Sequence, residues 1–207
     1  NNLDENSIDF SNNIKLNHLS IGGNYLKKID FLDNNKNLEK LYAGENLIES
    51  VDLSNLENLK YLNLSLNKIT GTLDLSSNTN LIALRVQGGI LLPHRFPTDY
   101  CHNVTDCLEG NYDYLLDNII LPISSSLKEI ELGGQMNIKE LDLSSTPNVE
   151  EIRMNNYPSN TKENIKGQLE NLINIESLTK LIDLGISNNP LFSKKMDLSN
   201  TSLKIFT

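Results

Sequence analysis

Apolar and polar residues follow one another along this chain in a unit that returns every 21 or 22 residues. Aliphatic residues occupy positions 1, 4, 6 and 11 of the unit, and asparagine often occupies position 9. Units begin at Leu16, Leu38, Leu59, Leu81, Leu127, Val149 and Leu181, and a partial unit begins at Leu203. A fixed period of this length is the sequence signature of a solenoid, in which each repeat forms one coil.

Each unit is expected to contain one short strand, because apolar positions 4 and 6 alternate with polar positions 3 and 5. One unit buries roughly six apolar side chains, worth on the order of 12 kcal/mol. Ordering its backbone of about 22 residues costs more, at roughly 1–2 kcal/mol per residue. A unit is therefore stable only when stacked on its neighbours. We expect one parallel sheet with strands centred near residues 18–20, 40–42, 61–63, 83–85, 129–131, 151–153 and 183–185.

Two further patterns repeat with the same period. The asparagines at position 9 point inward and are expected to bond buried backbone groups of adjacent coils; they are Asn24, Asn46, Asn67 and Asn189. An Asp-apolar-Ser triplet recurs on the far side of five coils, as at Asp52-Leu53-Ser54, and predicts a tight turn. We do not interpret the aspartates as a metal column, because no repeat offers the dense oxygen cluster of a calcium site. We expect neither a metal nor a cofactor.

The unit from Leu73 to Leu81, followed by Leu84 and Val86, resembles the leucine-rich repeat. The resemblance covers nearly the whole chain, and it is greatest to bacterial surface and secreted proteins that alternate LxxLxLxxNxL with an LDLSxN half. It implies an α/β-type repeat fold: a right-handed solenoid with few helices and a parallel sheet on its concave face. It also implies a non-catalytic scaffold for protein–protein interaction or adhesion.

The repeats predict a single domain over residues 1–207, with about seven full repeats and partial repeats at both ends, as in a fragment of a longer protein. Two insertions interrupt it, near residues 92–126 and 158–177. We interpret the first as a protruding loop with a short helix near 112–118. In the second, Ile165, Leu169, Leu172 and Ile173 fall on one helical stripe, which predicts a helix on the convex flank.

The two cysteines, Cys101 and Cys107, both lie in the first insertion. A bridge between them would close a short loop and contribute roughly 2 kcal/mol. Such a bridge forms in oxidising compartments, which favours an extracellular or cell-surface protein. The alternative is two unpaired thiols in a loop.

Charge and motifs exclude several classes of function. A net charge of −9 argues against nucleic acid and anionic membranes as partners. No apolar run approaches the length of a membrane helix, so we expect no membrane insertion within this segment. P-loops, nucleophile elbows and dinucleotide fingerprints are absent from the sequence, and we therefore expect no enzyme activity.

The remaining candidate is the concave face, where positions 3 and 5 project outward in two columns. Tyrosine and arginine are enriched at binding hot spots. The predicted contact residues form a basic and aromatic half, Lys40, Tyr42, Tyr61 and Arg85, and a later half, Glu129, Glu131 and Arg153. The expected partner is a protein, and Asn55, Asn78 and Ser145 on the convex side are expected to be silent controls. Two alternatives stay open: a substrate-recognition segment of a larger enzyme or effector, and carbohydrate binding.

Overall fold

The computed structural model describes residues 3–88, 116–134, 137–155 and 168–207. These residues contain short strands joined by turns. The strands are β1 (His18–Ser20), β2 (Lys40–Tyr42), β3 (Tyr61–Asn63), β4 (Gly71–Asp74), β5 (Ala83–Arg85), β6 (Leu116–Ile120), β7 (Glu129–Glu131), β8 (Glu140–Asp142), β9 (Glu151–Arg153), β10 (Asn171–Ile173), β11 (Asp183–Gly185) and β12 (Ile205–Phe206).

Eight of these strands form one sheet in the order β1-β2-β3-β5-β7-β9-β11-β12, and every neighbouring pair is parallel. The register is constant, so position 4 of each unit lies beside position 4 of the next, as Leu41 lies beside Leu62. The strands fall on the positions that the repeat predicted. The predicted fold class, a solenoid with its parallel sheet on the concave face, is confirmed.

The interior is a column of aliphatic side chains that runs through all the coils. Position 4 is buried from Leu19 to Leu184, and positions 1 and 6 of the middle units are buried with it. The sheet therefore has one face against this core and one face outward.

The convex side is built from smaller elements. β4 pairs with β6 and β8 pairs with β10, both in parallel. Asp30–Leu32 and Ile175–Ser177 form single turns of 3-10 helix. No α-helix occurs among the residues that the structure describes, in line with the few helices expected.

The predicted helix near residues 112–118 is wrong over its described part, because Leu116–Ile120 is strand β6. Leu116 and Ile119 are buried in the common core, and β6 takes its backbone partners from β4. Residues 116–126 therefore continue the solenoid rather than belonging to a protruding loop. Residues 112–115 lie outside the described part of the chain.

The helix predicted from the stripe at Leu169, Leu172 and Ile173 is also wrong where it is described. Asn171–Ile173 is strand β10, and the Glu170 amide donates to the carbonyl of Lys139 at 2.7 Å. Leu169 and Leu172 are both buried and lie three residues apart, which is the spacing of positions 1 and 4 of a repeat unit and also occurs on a helix. Ile165 lies outside the described residues.

The aspartate of each Asp-apolar-Ser triplet closes a tight turn. Asp52 Oδ1 accepts the backbone N–H of Ser54 at 2.9 Å. The same bond joins Asp9 to Ser11, Asp74 to Ser76, Asp142 to Ser144 and Asp197 to Ser199. These serine hydrogen bonds favour the charged carboxylate and lower the pKa of all five aspartates.

Position-9 asparagines link adjacent coils through their side-chain amides. Asn46 Nδ2 donates to the carbonyl of Ala43 in its own coil at 3.1 Å and to that of Ile21 in the preceding coil at 3.0 Å. Its Oδ1 accepts the N–H of Leu26 at 3.1 Å. Asn67 repeats the arrangement one coil later, and Asn24 and Asn189 make the corresponding bonds at the two ends.

Two further sets of asparagines bond across coils on the convex side and were not predicted. Asn35 and Asn78 are fully buried, and Asn78 Nδ2 donates to the carbonyls of Leu53 and Leu56. Asn78 is therefore unsuitable as a silent control, unlike the exposed Asn55. The second set donates to the preceding coil from the position before each unit: Asn37, Asn58, Asn80 and Asn148.

Candidate functional site

The concave face consists of the outward side chains of the eight-stranded sheet. Strand pairing places position 3 of each unit beside position 3 of the next, so that Lys40, Tyr61 and Ala83 are successive neighbours. Position 5 forms the parallel column, with Tyr42 beside Asn63 and Asn63 beside Arg85. Neighbouring strands lie about 4.8 Å apart, so side chains in one column can touch.

Both tyrosines of this face are held by basic or aromatic neighbours. The Tyr42 ring meets the His18 ring edge-on, with centroids 5.4 Å apart. Lys40 Nζ lies 5.3 Å from the centroid of the Tyr61 ring, which is a cation–π contact. Tyr42 and Tyr61 are half-buried before any partner arrives, so little side-chain freedom remains for binding to remove.

A shallow depression of about 250 Å³ opens between these tyrosines and the next strands. Ala83 lies in the position-3 column between Tyr61 and Glu129, and its small side chain leaves the space that a larger residue would fill. The lining residues are Tyr42, Tyr61, Leu62, Asn63, Ala83, Arg85 and Glu129. The structure thus brings together the predicted residues Tyr42, Tyr61, Arg85 and Glu129.

An ion pair cluster forms the wall of this depression. Arg85 Nη2 lies 3.2 Å from Glu129 Oε2, and Arg85 Nε lies 3.1 Å from Glu131 Oε2. Gln87 Nε2 also donates to Glu131 Oε2, at 3.4 Å. The positive charge of Arg85 is therefore neutralised within the face.

Arg153 extends the cluster to the last strands. Its Nη1 lies 3.0 Å from Glu131 Oε1, and its Nη2 lies 2.8 Å from Glu151 Oε2 and 2.6 Å from Asp183 Oδ2. Burial lowers the pKa of Arg153, but the bond to Asp183 and the charges of Glu151 and Asp183 outweigh burial and raise it. Glu131 contacts both arginines and thereby connects the two predicted halves of the face through Arg85 and Arg153.

Several parts of this site were not predicted. Leu62 and Ala83 line the depression, and Glu151 and Asp183 complete the network, yet none was among the candidate contact residues. A small residue between large ones in the position-3 column was the available signal for the depression. Cys101 and Cys107 lie outside the described residues, so their bridge stays a prediction.

The described residues offer few other sites. Among them, no three histidine, cysteine, aspartate or glutamate side chains converge closely enough to hold a metal ion. In the same part of the chain, no helix has the length and apolar character needed to cross a membrane.

The repeat step, the parallel strands and the inward asparagines together define a leucine-rich repeat fold. No family model matches the sequence, and no curated protein matches it.

Three solved structures with similar coordinates are distant from this chain in sequence. The chain resembles the functional domain of InlJ from Listeria monocytogenes at 16% identity and a TM-score of 0.38, covering 96% of this chain and 51% of that one. For a leucine-rich repeat protein from Leptospira interrogans the identity is 22% and the TM-score 0.44, with 90% and 48% covered. For the plant peptide hormone receptor RGFR1 in complex with RGF2 the identity is 18% and the TM-score 0.38, with 96% of this chain and 34% of that one covered. The chain thus spans about half or less of each of these structures.

Proposed function

We propose that this protein is a non-catalytic binding module that engages a protein partner through its concave face. The observation that carries the proposal is the depression lined by Tyr42, Tyr61 and Arg85 on the outward face of the sheet. Two tyrosines and an arginine line it, and these side-chain types are enriched among the residues that dominate binding energy at protein interfaces. An extracellular or cell-surface location and a role in adhesion belong to the same proposal.

The geometry favours a polypeptide over a carbohydrate. A sugar ring stacks on a free aromatic face with polar groups around it. Here Lys40 lies over the Tyr61 ring and His18 meets the Tyr42 ring, so both rings are already engaged. An extended chain needs only the edges of these rings and the depression beside them.

The proposal is tested with binders selected from a displayed library of random peptides on the immobilised protein. Substituting Tyr42→Ala, Tyr61→Ala or Arg85→Ala is expected to weaken binding by roughly 2 kcal/mol each, as truncation of hot-spot residues does. Affinities are measured by biolayer interferometry for each variant. The two tyrosine changes should leave the far-UV circular dichroism unchanged, because both side chains point away from the core.

Asn55→Ala and Ser145→Ala are the matched controls, because both residues lie on the convex side and neither is fully buried. They are expected to bind like the parent protein. Equal losses in the two sets, or no loss from the tyrosine variants, would place the contact surface outside the concave face.

A further inference from the structure

The outward charges of the concave face are unbalanced from β5 to β11. In strands β5, β7, β9 and β11, positions 3 and 5 carry four carboxylates and two guanidiniums, which is an excess of two negative charges. The carboxylates belong to Glu129, Glu131, Glu151 and Asp183, and the guanidiniums to Arg85 and Arg153.

The two guanidiniums are committed to internal partners. Arg85 contacts two carboxylates and Arg153 contacts three. An acidic partner would therefore have to displace carboxylates that the fold already holds against them, and would meet like charge around them. A cationic partner meets the carboxylates that are in excess, and it shares Glu129 with Arg85 and Glu151 with Arg153.

The excess negative charge lies in one column at the edge of the depression. Glu129, Glu151 and Asp183 are register partners on successive strands, with no basic residue between them in position 3. The side chains of Glu129 and Glu151 are 36% and 30% exposed to solvent, so a partner can reach them. Glu131 and Asp183 are mostly covered, at 15% and 12%.

The depression beside this column suits the stem of a long basic side chain. Lysine and arginine pack their methylene groups on apolar surface and keep the charged end in a polar setting. The half-buried rings of Tyr42 and Tyr61 and the methyl group of Ala83 supply apolar surface, and Glu129 also lines the depression. The contact of Lys40 with the Tyr61 ring is an instance of the same pairing within the chain.

We propose that the occupant of the concave face is a cationic polypeptide segment, with a lysine or arginine side chain in the depression and its charge against Glu129 and Glu151. This inference rests on the proposed function and adds the chemistry of the partner. Charge complementarity between this unpartnered sheet face and a basic segment is the argument for that occupant.

Two synthetic peptides of the same length test the proposal directly. One alternates lysine and serine, and the other has glutamate in place of every lysine. The protein is expected to bind the lysine peptide, with an affinity that falls as salt is added, and to bind the glutamate peptide more weakly. Binding is followed by fluorescence anisotropy of a labelled peptide.

A charge-matched pair of double variants separates the face from general attraction by an acidic protein. Glu129→Gln/Glu151→Gln is expected to weaken binding of the lysine peptide roughly three- to tenfold, since each exposed ion pair contributes little. Glu49→Gln/Glu57→Gln removes the same charge from exposed residues outside the sheet and is expected to leave the affinity nearly unchanged.

Three results would overturn the proposal: no measurable binding of the lysine peptide, binding of the glutamate peptide as tight or tighter, or equal losses in the two double variants. The proposed function fails on a different result. If library-selected binders still depend on Tyr42 and Tyr61 while the lysine peptide fails, the concave face binds polypeptides and only its preference for cations is refuted.

Discussion

At the scale of single residues, buried asparagine amides hold the coils together. The carbonyl of Ile21 accepts hydrogen bonds from Asn24 of its own coil and from Asn46 of the next, so two asparagines share one acceptor. The N–H of Leu26, in contrast, has Asn46 Oδ1 as its partner. The cost of losing one asparagine is therefore set mainly by the amide that it leaves unpaired.

We expect Asn46→Ala to lower the free energy of unfolding by about 1–3 kcal/mol, because the buried Leu26 N–H loses its acceptor. Urea unfolding followed by circular dichroism measures the change. Asn55→Ala, at an exposed convex position, is the control and should differ from the parent by less than about 0.5 kcal/mol. Similar losses in both variants would show that the ladder contributes no specific stability.

Sequence reasoning placed the position-9 asparagines but not Asn35 and Asn78, although all of them bond across coils. The reason is regularity. Position 9 holds asparagine in four units, whereas the convex position of Asn78 is taken by Leu56 and Thr146 in other coils. Thr146 Oγ1 bonds only within its own coil, so no single residue type marks that position in the sequence.

At the scale of elements, the Asp-apolar-Ser turn is a local device that depends on ionisation. The side chain and the backbone N–H of Ser54 bond a carboxylate more strongly than a carboxylic acid, so they lower the pKa of Asp52 in the folded protein, and the equivalent serines do the same at the other turns. The unfolded chain lacks this bond, and there the aspartates titrate near their usual pKa of about 3.9.

Because the folded pKa of these aspartates is lower than the unfolded pKa, the free energy of unfolding depends on pH. The stabilisation is fully present above the unfolded pKa and is lost as the pH falls below about 4 toward the lower folded pKa. Changing all five turn aspartates to asparagine keeps an acceptor for the serine N–H but removes the titration. Urea midpoints between about pH 6 and pH 3 should therefore fall less for this variant than for the parent. Parallel pH profiles for the two proteins would contradict the assignment.

The strands of the eight-stranded sheet were predictable from the sequence, whereas the two predicted helices are wrong where the structure describes them. A strand on the sheet is fixed by alternation over three to five residues, which the repeat displays in every unit. Apolar residues three apart, as at Leu169 and Leu172, occur on a helix and also at positions 1 and 4 of a repeat unit. The backbone of β8, which the sequence pattern does not place beside Asn171–Ile173, decides between them.

At the scale of the whole molecule, the candidate site depends on neighbours that are distant in sequence. Arg85 and Glu129 are 44 residues apart in sequence, yet they lie on adjacent strands of the sheet. The repeat alone predicts which residues occupy positions 3 and 5 on the concave face. The pairing of arginines with carboxylates, and the depression at Ala83, depend on side-chain packing across those strands and had to be seen in the structure.

The same neighbour-to-neighbour construction predicts how the molecule loses stability. Leu62 is buried at the centre of β3 and packs between the coils of β2 and β5. Truncating it with Leu62→Ala should cost roughly 2–5 kcal/mol. In a solenoid each coil contacts only its neighbours, so stability is a sum of coil and interface contributions. Amide hydrogen exchange should therefore accelerate most in β2, β3 and β5 and least in β9 and β11, which are the third and fourth strands from β3 in the sheet. Equal acceleration in all of these strands would mean that the coils unfold as one cooperative unit rather than as an array of coupled repeats.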